Sequence, residues 1–322
     1  MSIPVYILKR FLQAIPLLLI VSIMSFVMLK LAPIDPLASM RANPAISAAA
    51  IKAEEQRLGL DKPAPVQYLI WLKDVAQGDL GISTSGSSVF TLLMQRAGNT
   101  LILGSLSLLF TWLIAVPAGV YAAVHRGAWV DRAFGMLSTI GMSMPTFLLS
   151  LLLLMAALAT GWFPIGGLTS QDFFERDALS QVIDIAHHLV IPVTVLTFVN
   201  VAAIQRQMRG TLLDVLRAEY VRTARAKGLA ENAVVYRHAL RNAINPLITL
   251  LGFEFSVLLS GAALTETVLA YPGLGRLTLE AVLTNDMNTV MASLMLGACM
   301  LVAGNLLADV LLKLADPRIT LE

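Results

Sequence analysis

The sequence predicts an all-α protein: one transmembrane domain over residues 1–322, with six helices crossing a bilayer. Three observations predict it. Hydrophobic residues make up 57% of the chain and charged residues only 14%, whereas a soluble domain carries about 25% charged residues. Six stretches are long and apolar enough to cross a hydrocarbon core, which takes about 20 helical residues. The basic residues crowd into the segments between alternate stretches. The one cysteine, Cys299, excludes an intrachain disulfide and any multi-cysteine metal site, and reads as a small apolar residue.

Taken in order, residues 11–29 and 97–124 are uncharged. Residues 133–171 are also uncharged but exceed one crossing, so part of them must leave the membrane. The run Gly161-Trp-Phe-Pro-Ile-Gly-Gly167 is the natural exit, with Trp162 suited to the interface. Gly141, Pro145 and Gly161 can kink or open this third span. Residues 185–205 carry no charge apart from two histidines, 242–265 are interrupted only by Glu254, and 287–308 are uncharged. The helices are expected near 9–30, 99–124, 134–160, 188–208, 244–268 and 288–312. Lys9-Arg10 before the first apolar run fits a signal peptide. The run is 19 residues, however, and Leu31-Ala-Pro-Ile-Asp-Pro36 offers no clear small-x-small cleavage site, so a retained span is expected.

Lys and Arg set the orientation. With both termini cytoplasmic, 14 of the 23 basic residues fall inside. The rest lie mostly in one long segment, 31–98, where length weakens their influence. The 161–187 loop carries Asp172, Glu175, Asp177 and Asp184 against one Arg176. The expectation is a multi-pass inner-membrane protein with cytoplasmic N- and C-termini.

Two loops are too long to be connectors. In the external one, residues 31–98, Asn43-Pro44 suits an N-cap and first-turn proline. Residues 45–58 are Ala/Glu/Lys-rich and should be helical. Gly59 stops that helix, Pro63 and Pro65 follow, and 66–75 has the spacing of a second amphipathic helix. The segment reads as an external cap packed on the spans. The cytoplasmic loop, 206–245, holds eight Lys/Arg and three acids. Residues 211–227 predict one helix, with acids Asp214 and Glu219 early and Arg222, Arg225 and Lys227 late, matching the helix dipole. Asp214/Arg217 and Glu219/Arg222 are spaced for i,i+3 ion pairs. Gly228 is a C-terminal stop, and a second helix runs on toward Asn245-Pro246. Such a helix–turn–helix could bind anionic lipid headgroups, re-enter passively, or dock a cytoplasmic partner.

The residues themselves go further. The run Glu219-Tyr-Val-Arg-Thr-Ala-Arg-Ala-Lys-Gly-Leu229, with Arg237-His-Ala-Leu-Arg-Asn-Ala243 and Pro246, resembles the EAA loop of ATP-binding-cassette importer permeases. More narrowly, it resembles the form found in dipeptide, oligopeptide, nickel and glutathione importers. Further matches lie along nearly the whole chain, among them Gly78-Asp-Leu-Gly-Ile-Ser83, Ser143-Met-Pro145, Leu264-Thr-Glu-Thr267 and Tyr271-Pro-Gly-Leu-Gly275. The long external segment after one span resembles the B-type partner of the two permeases. Where the wider family has Glu-Ala-Ala, this chain has Arg222-Thr223-Ala224, so no carboxylate role carries over to Arg222.

The resemblance implies a type I importer permease fold. It implies pairing with a second, homologous permease in a heterodimer. Two ATP-binding subunits would sit on the cytoplasmic side, an external substrate-binding protein above, and lipid around, with no nucleic acid. It also implies a coupling loop whose contacts to the ATPase subunit come from Glu219, Arg222, Thr223, Ala224, Arg225, Lys227, Gly228 and Leu229. The chain has no Gly-x-x-x-x-Gly-Lys-Ser/Thr run, so ATP and Mg are expected on the partners, and this chain is expected to hold no cofactor and to catalyse nothing. His187-His188 offers no metal site, because adjacent helical residues point about 100° apart.

Glu254 is the carboxylate deepest in a span, where a charge costs about 2.5–3.5 kcal/mol. It either lines the translocation path, attracting a cationic group such as a peptide amino terminus, or sits protonated or hydrogen-bonded between helices. Asn200, Ser143 and Pro145 are further path candidates. A stand-alone secondary transporter would need more carboxylates in its spans, and an intramembrane enzyme would need a Ser/His, paired-Asp or metal constellation. Dipeptides, longer peptides, glutathione and nickel chelates all remain open as substrates.

Overall fold

The computed structural model describes residues 3–31, 35, 37–57, 59–248, 250–251 and 262–315. Among these the only β pairing is one isolated bridge, Ile82 to Ser88. The long apolar runs form long helices because, in lipid, only a helix satisfies its own backbone. Helix α1 spans Ile3–Leu31. Short helices α2 (Ala38–Ala42), α3 (Ala48–Arg57) and α4 (Ala64–Ala76) follow, in the segment expected to form the cap. Then come α5 (Val89–Val124), α6 (Trp129–Ser143), α7 (Thr146–Thr160) and α8 (Ala178–Val215). Four helices are long and apolar enough to cross a membrane among the described residues: Val5–Leu31, Val89–Val124, Ala178–Val215 and Met287–Leu307.

The third expected span is not one rod. Helices α6 and α7, 15 residues each, meet at 100°. The cause is Pro145: its ring pushes the preceding residue out of the helical region, and Met144 sits at φ −88°, ψ 118°. At 15 residues, about 22 Å, neither helix alone reaches across a hydrocarbon core of about 30 Å. Gly161, left-handed at φ 67°, ends α7 at the expected exit. The fifth expected span, 244–268, is described only at its ends, and Glu254 lies outside the described residues.

Helices α5 and α8 form the central pair. At 36 and 38 residues they run about 54 and 57 Å, so both project well beyond a hydrocarbon core of about 30 Å. Their close approach depends on Gly119, where a Cβ would lie 2.6 Å from Met208 Cβ and 2.8 Å from the Gln205 carbonyl. Helix α6 is bound to α8 by two side-chain links. Ser138 Oγ donates to Gln205 Oε1 at 2.6 Å, and Arg209 chelates Asp131 through Nε and Nη2 at 2.5 and 2.8 Å. The terminal helices pair as well, since α14 spans Met287–Ala315 and meets α1. Tyr6 donates to Asp309 at 2.7 Å and Arg10 pairs with it at 2.9 Å. At the other end Phe26 and Leu29 pack with Val290 and Met291.

Candidate functional site

The bundle therefore has two ends. One gathers Tyr6, Asp309, the α5–α6 turn and the elbow that follows α8; the other gathers the cap, the 161–177 loop and the loops flanking residues 263–287.

At the elbow, α8 stops at Val215, three residues turn, and α9 spans Glu219–Ala226. This corrects the single helix expected over 211–227. The break at 216–218 leaves Asp214 in the last turn of α8 rather than at the start of a helix; among the described residues Asp214 and Arg217 meet through the Arg217 N–H and the Asp214 carbonyl at 3.2 Å, not through a side-chain ion pair. The Glu219/Arg222 pair does form, at 2.8 Å and exposed to solvent. The C-terminus of α9 is a Schellman motif: Gly228 N–H donates to the Arg225 carbonyl at 2.9 Å and Leu229 N–H to the Ala224 carbonyl at 3.4 Å. The motif needs a left-handed residue at position 228, and Gly228 supplies φ +78°. The chain then re-enters through α10 (Glu231–Ala233), a π-helical turn (Val234–Ala239) and α11 (Leu240–Ala243).

The elbow is anchored by burial. Val221 is fully buried and Ala224 nearly so, packed with Met208, Leu212, Val234, Val235, Ala239 and Ala243. Ala224 thus faces into the bundle, not outward as a contact residue would. Tyr220 is tied to the returning segment by Asn242 Nδ2, 2.7 Å from its hydroxyl. Arg225 also turns back on its own chain. It grips Glu231 through Nη2 and Nε at 2.6 and 3.1 Å and reaches the Leu216 carbonyl at 3.4 Å. This ion pair holds the Glu231 carboxyl below the usual carboxylate range and the Arg225 guanidinium above its own. Glu219, Arg222, Thr223, Lys227, Gly228 and Leu229 remain on the exposed face.

Of the path candidates, Ser143 and Pro145 sit at the α6–α7 bend and Asn200 on α8. Gly141 packs on Ala202 and the Phe198 carbonyl, which places the end of α6 level with Asn200. Ser143 and Pro145 are exposed, and Ser143 Oγ donates to the Thr139 carbonyl at 2.8 Å. Asn200 is half-buried.

The opposite end holds carboxylates to which the sequence reading gave no structural role. Glu266, in α12 (Ala263–Val268), is completely buried. It accepts from Thr100 Oγ1 at 3.0 Å and from Arg276 N–H at 2.9 Å. Arg276 is the third residue of α13 (Leu274–Leu283), so Glu266 caps that helix across a loop. This explains Tyr271-Pro-Gly-Leu-Gly275: any side chain at Gly273 would overlap the Glu266 carboxylate, and the Tyr271 hydroxyl donates to the Asn99 carbonyl at 2.8 Å. Asp286 caps α14 through Thr289 N–H at 3.0 Å and holds Ser83 Oγ at 2.5 Å, fastening the cap segment to that helix. Asp184 gathers Ser170 and Arg176. His187 bonds the Trp162 carbonyl at 2.8 Å and His188 the Asp184 carbonyl at 2.8 Å, both within one chain's framework. No group of three or more His, Cys, Asp or Glu among the described residues could hold a metal ion.

Four long apolar helices, a sharply bent helix pair and an elbow anchored in the bundle by burial define an integral membrane protein. Comparison gives the family. The model for the binding-protein-dependent transport system inner membrane component matches residues 115–321, and that family's N-terminal model matches 4–90. The chain belongs to this family; it is an inner-membrane permease component that works with other subunits. It is 38% identical over 317 residues to the oligopeptide transport system permease protein AppB of Bacillus subtilis, covering 98% of each chain. It is 36% identical over 333 residues to the di/tripeptide transport system permease protein DppB of Pseudomonas aeruginosa, again covering 98% of each. A putative peptide permease protein of Brucella suis is 39% identical over 321 residues, with the same coverage.

Proposed function

We propose that this chain is one of two permeases through which di- or oligopeptides enter the cell, driven by ATP hydrolysis on two partner subunits. The peptide assignment rests on relatives named for oligopeptides and for di/tripeptides, each matched over 98% of its length. It ranks peptides ahead of nickel chelates or glutathione. The single observation that carries the coupling role is the elbow's construction. Val221 and Ala224 are buried in the bundle while Arg222, Thr223, Lys227 and Leu229 face out. A helix fixed at both ends to membrane segments passes on rigid-body motion instead of absorbing it. Exposed Arg222 and Lys227 offer charge-assisted hydrogen bonds to acceptors on an ATPase subunit.

In this reading both termini and the elbow are cytoplasmic, and the cap faces an external binding protein that delivers substrate. ATP and Mg bind on the partners, and this chain performs no covalent chemistry. Asn200, Ser143 and Pro145 flank the path at the α6–α7 bend, and Glu254 contributes to it. The test is to express the chain with its partner permease, ATPase subunits and binding protein, purify it by a tag, and reconstitute vesicles. The expected result is co-elution of the ATPase subunits and ATP-dependent uptake of a labelled dipeptide or pentapeptide. Uptake without ATP, or a chain that purifies without an ATPase subunit, would overturn the proposal.

A further inference from the structure

The elbow contains an element that its surface role does not use. Arg225 stands at the end of α9 among residues that face out, yet its guanidinium is spent on its own chain. Three segments converge on it. Leu216 closes α8, Arg225 itself belongs to α9, and Glu231 opens α10. Between α9 and α10 lies Gly228, and a Cβ there would meet nothing within 4 Å. On the buried side the turn is held by Val221 and Ala224 packed with Val234 and Val235. On the solvent side, what spans it is the pair of hydrogen bonds from Arg225 to Glu231, together with the contact to the Leu216 carbonyl. A planar guanidinium meeting a carboxylate in this bidentate way fixes direction as well as distance.

We propose that Arg225 and Glu231 are positioning residues that staple α8, α9 and α10 into one lever, so that a push on the outer face of α9 moves the membrane helices without slack. The inference rests on the coupling role proposed above and assigns the pair a task inside the chain, not contact with the ATPase subunit. An exposed ion pair adds little to global stability. Its effect belongs in the transmission between hydrolysis and transport, which is where the experiment looks.

The experiment uses the complete reconstituted transporter and labelled dipeptide. ATP hydrolysis and uptake are measured on the same vesicles for wild type, Arg225→Gln, Glu231→Gln and the exchanged pair Arg225→Glu/Glu231→Arg. Both single variants should retain their ATPase subunits and continue hydrolysing ATP, while uptake per ATP falls about fivefold or more. The exchanged pair should recover most of the ratio. A structural lesion alone would lower assembly and both activities together, and exchange would not restore the ratio. The proposal is overturned if Arg225→Gln loses the ATPase subunit while Glu231→Gln does not, because Arg225 would then be a contact residue. It is equally overturned if both single variants keep the wild-type ratio or if exchange fails to rescue. Failure of the underlying coupling role looks different: the wild-type chain itself would neither retain an ATPase subunit nor take up peptide with ATP.

Discussion

Replacing Gly228 separates backbone geometry from side-chain size, and the structure fixes the order of the outcomes. The residue sits at φ +78° with empty space where a Cβ would go. Alanine therefore meets no clash, and its cost is that of the left-handed conformation alone, about 1–2 kcal/mol. At 1.4 kcal/mol per decade, that is about a 5- to 30-fold shift of the local equilibrium away from the Schellman turn. Asparagine is larger but tolerates this region, so it should lose less than alanine. Valine, β-branched, should lose more. Proline should be worst, because it fixes φ near −65° and removes the N–H that bonds the Arg225 carbonyl at 2.9 Å. Two assays read the series. Amide exchange at Leu229, whose N–H closes the turn onto Ala224, should accelerate in the order Gly, Asn, Ala, Val, Pro. ATP-driven uptake in the reconstituted transporter should fall in the same order, with membrane insertion unchanged. A series that follows side-chain volume, with asparagine worse than alanine, would refute the backbone argument and place a partner surface against position 228.

Three other outcomes follow from the same geometry. Glu266→Ala strips the cap from α13 and leaves buried Thr100 and the Arg276 N–H without their acceptor, which should cost about 2–4 kcal/mol and lower the detergent melting temperature; Gly273→Ala, forced against the Glu266 carboxylate, should do similar damage, and the double variant should be clearly less than additive. Gly119→Ala puts a methyl group into the α5–α8 contact against Met208 and should cost about 1–3 kcal/mol, seen as a lower melting temperature. For pH, the Glu231 carboxyl is held below its ordinary value of 4.5 by Arg225, so its share of elbow order is fully present above about 4.5 and is lost as pH falls through the lowered value. Amide exchange in the elbow, corrected for intrinsic rates, should be flat from about pH 6 to 8 and should rise only below the ordinary carboxylate range.

Four of the six expected spans were legible because a bilayer imposes a length on apolar runs, and that constraint is local in sequence. The elbow's stop at Gly228 and its exposed Arg222 and Lys227 were legible for the same reason: each depends on a residue's own conformation or charge. What escaped notice depends on distant partners. The break at 216–218 separates two segments with equally good helix propensity, and it arises because Val221 and Ala224 must reach Met208 and Leu212 to be buried. Arg225 looked like a surface contact because nothing in its spacing from Glu231 marks a bond across a turn. Helix α13 was missed altogether, being a ten-residue amphipathic piece whose N-terminus is capped by a carboxylate ten residues upstream of the residue it bonds.

The acids make the same point about orientation. Their excess in the 161–187 loop looked like the mirror image of the basic residues, and so like support for placing that loop outside. The structure gives one of them, Asp177, and several acids elsewhere another cause. Asp177 caps α8, Asp286 caps α14 and Glu266 caps α13, all at the end away from the elbow. At the elbow end, Asp131, Glu219 and Glu231 occupy first turns of α6, α9 and α10. These six acids sit at the starts of helices, where unpaired N–H groups and the dipole favour negative charge, whichever end of the bundle the helix starts from. An acid so placed carries no vote on topology. The inside assignment of the elbow therefore rests on lysine and arginine alone, and chiefly on the eight that crowd residues 206–245.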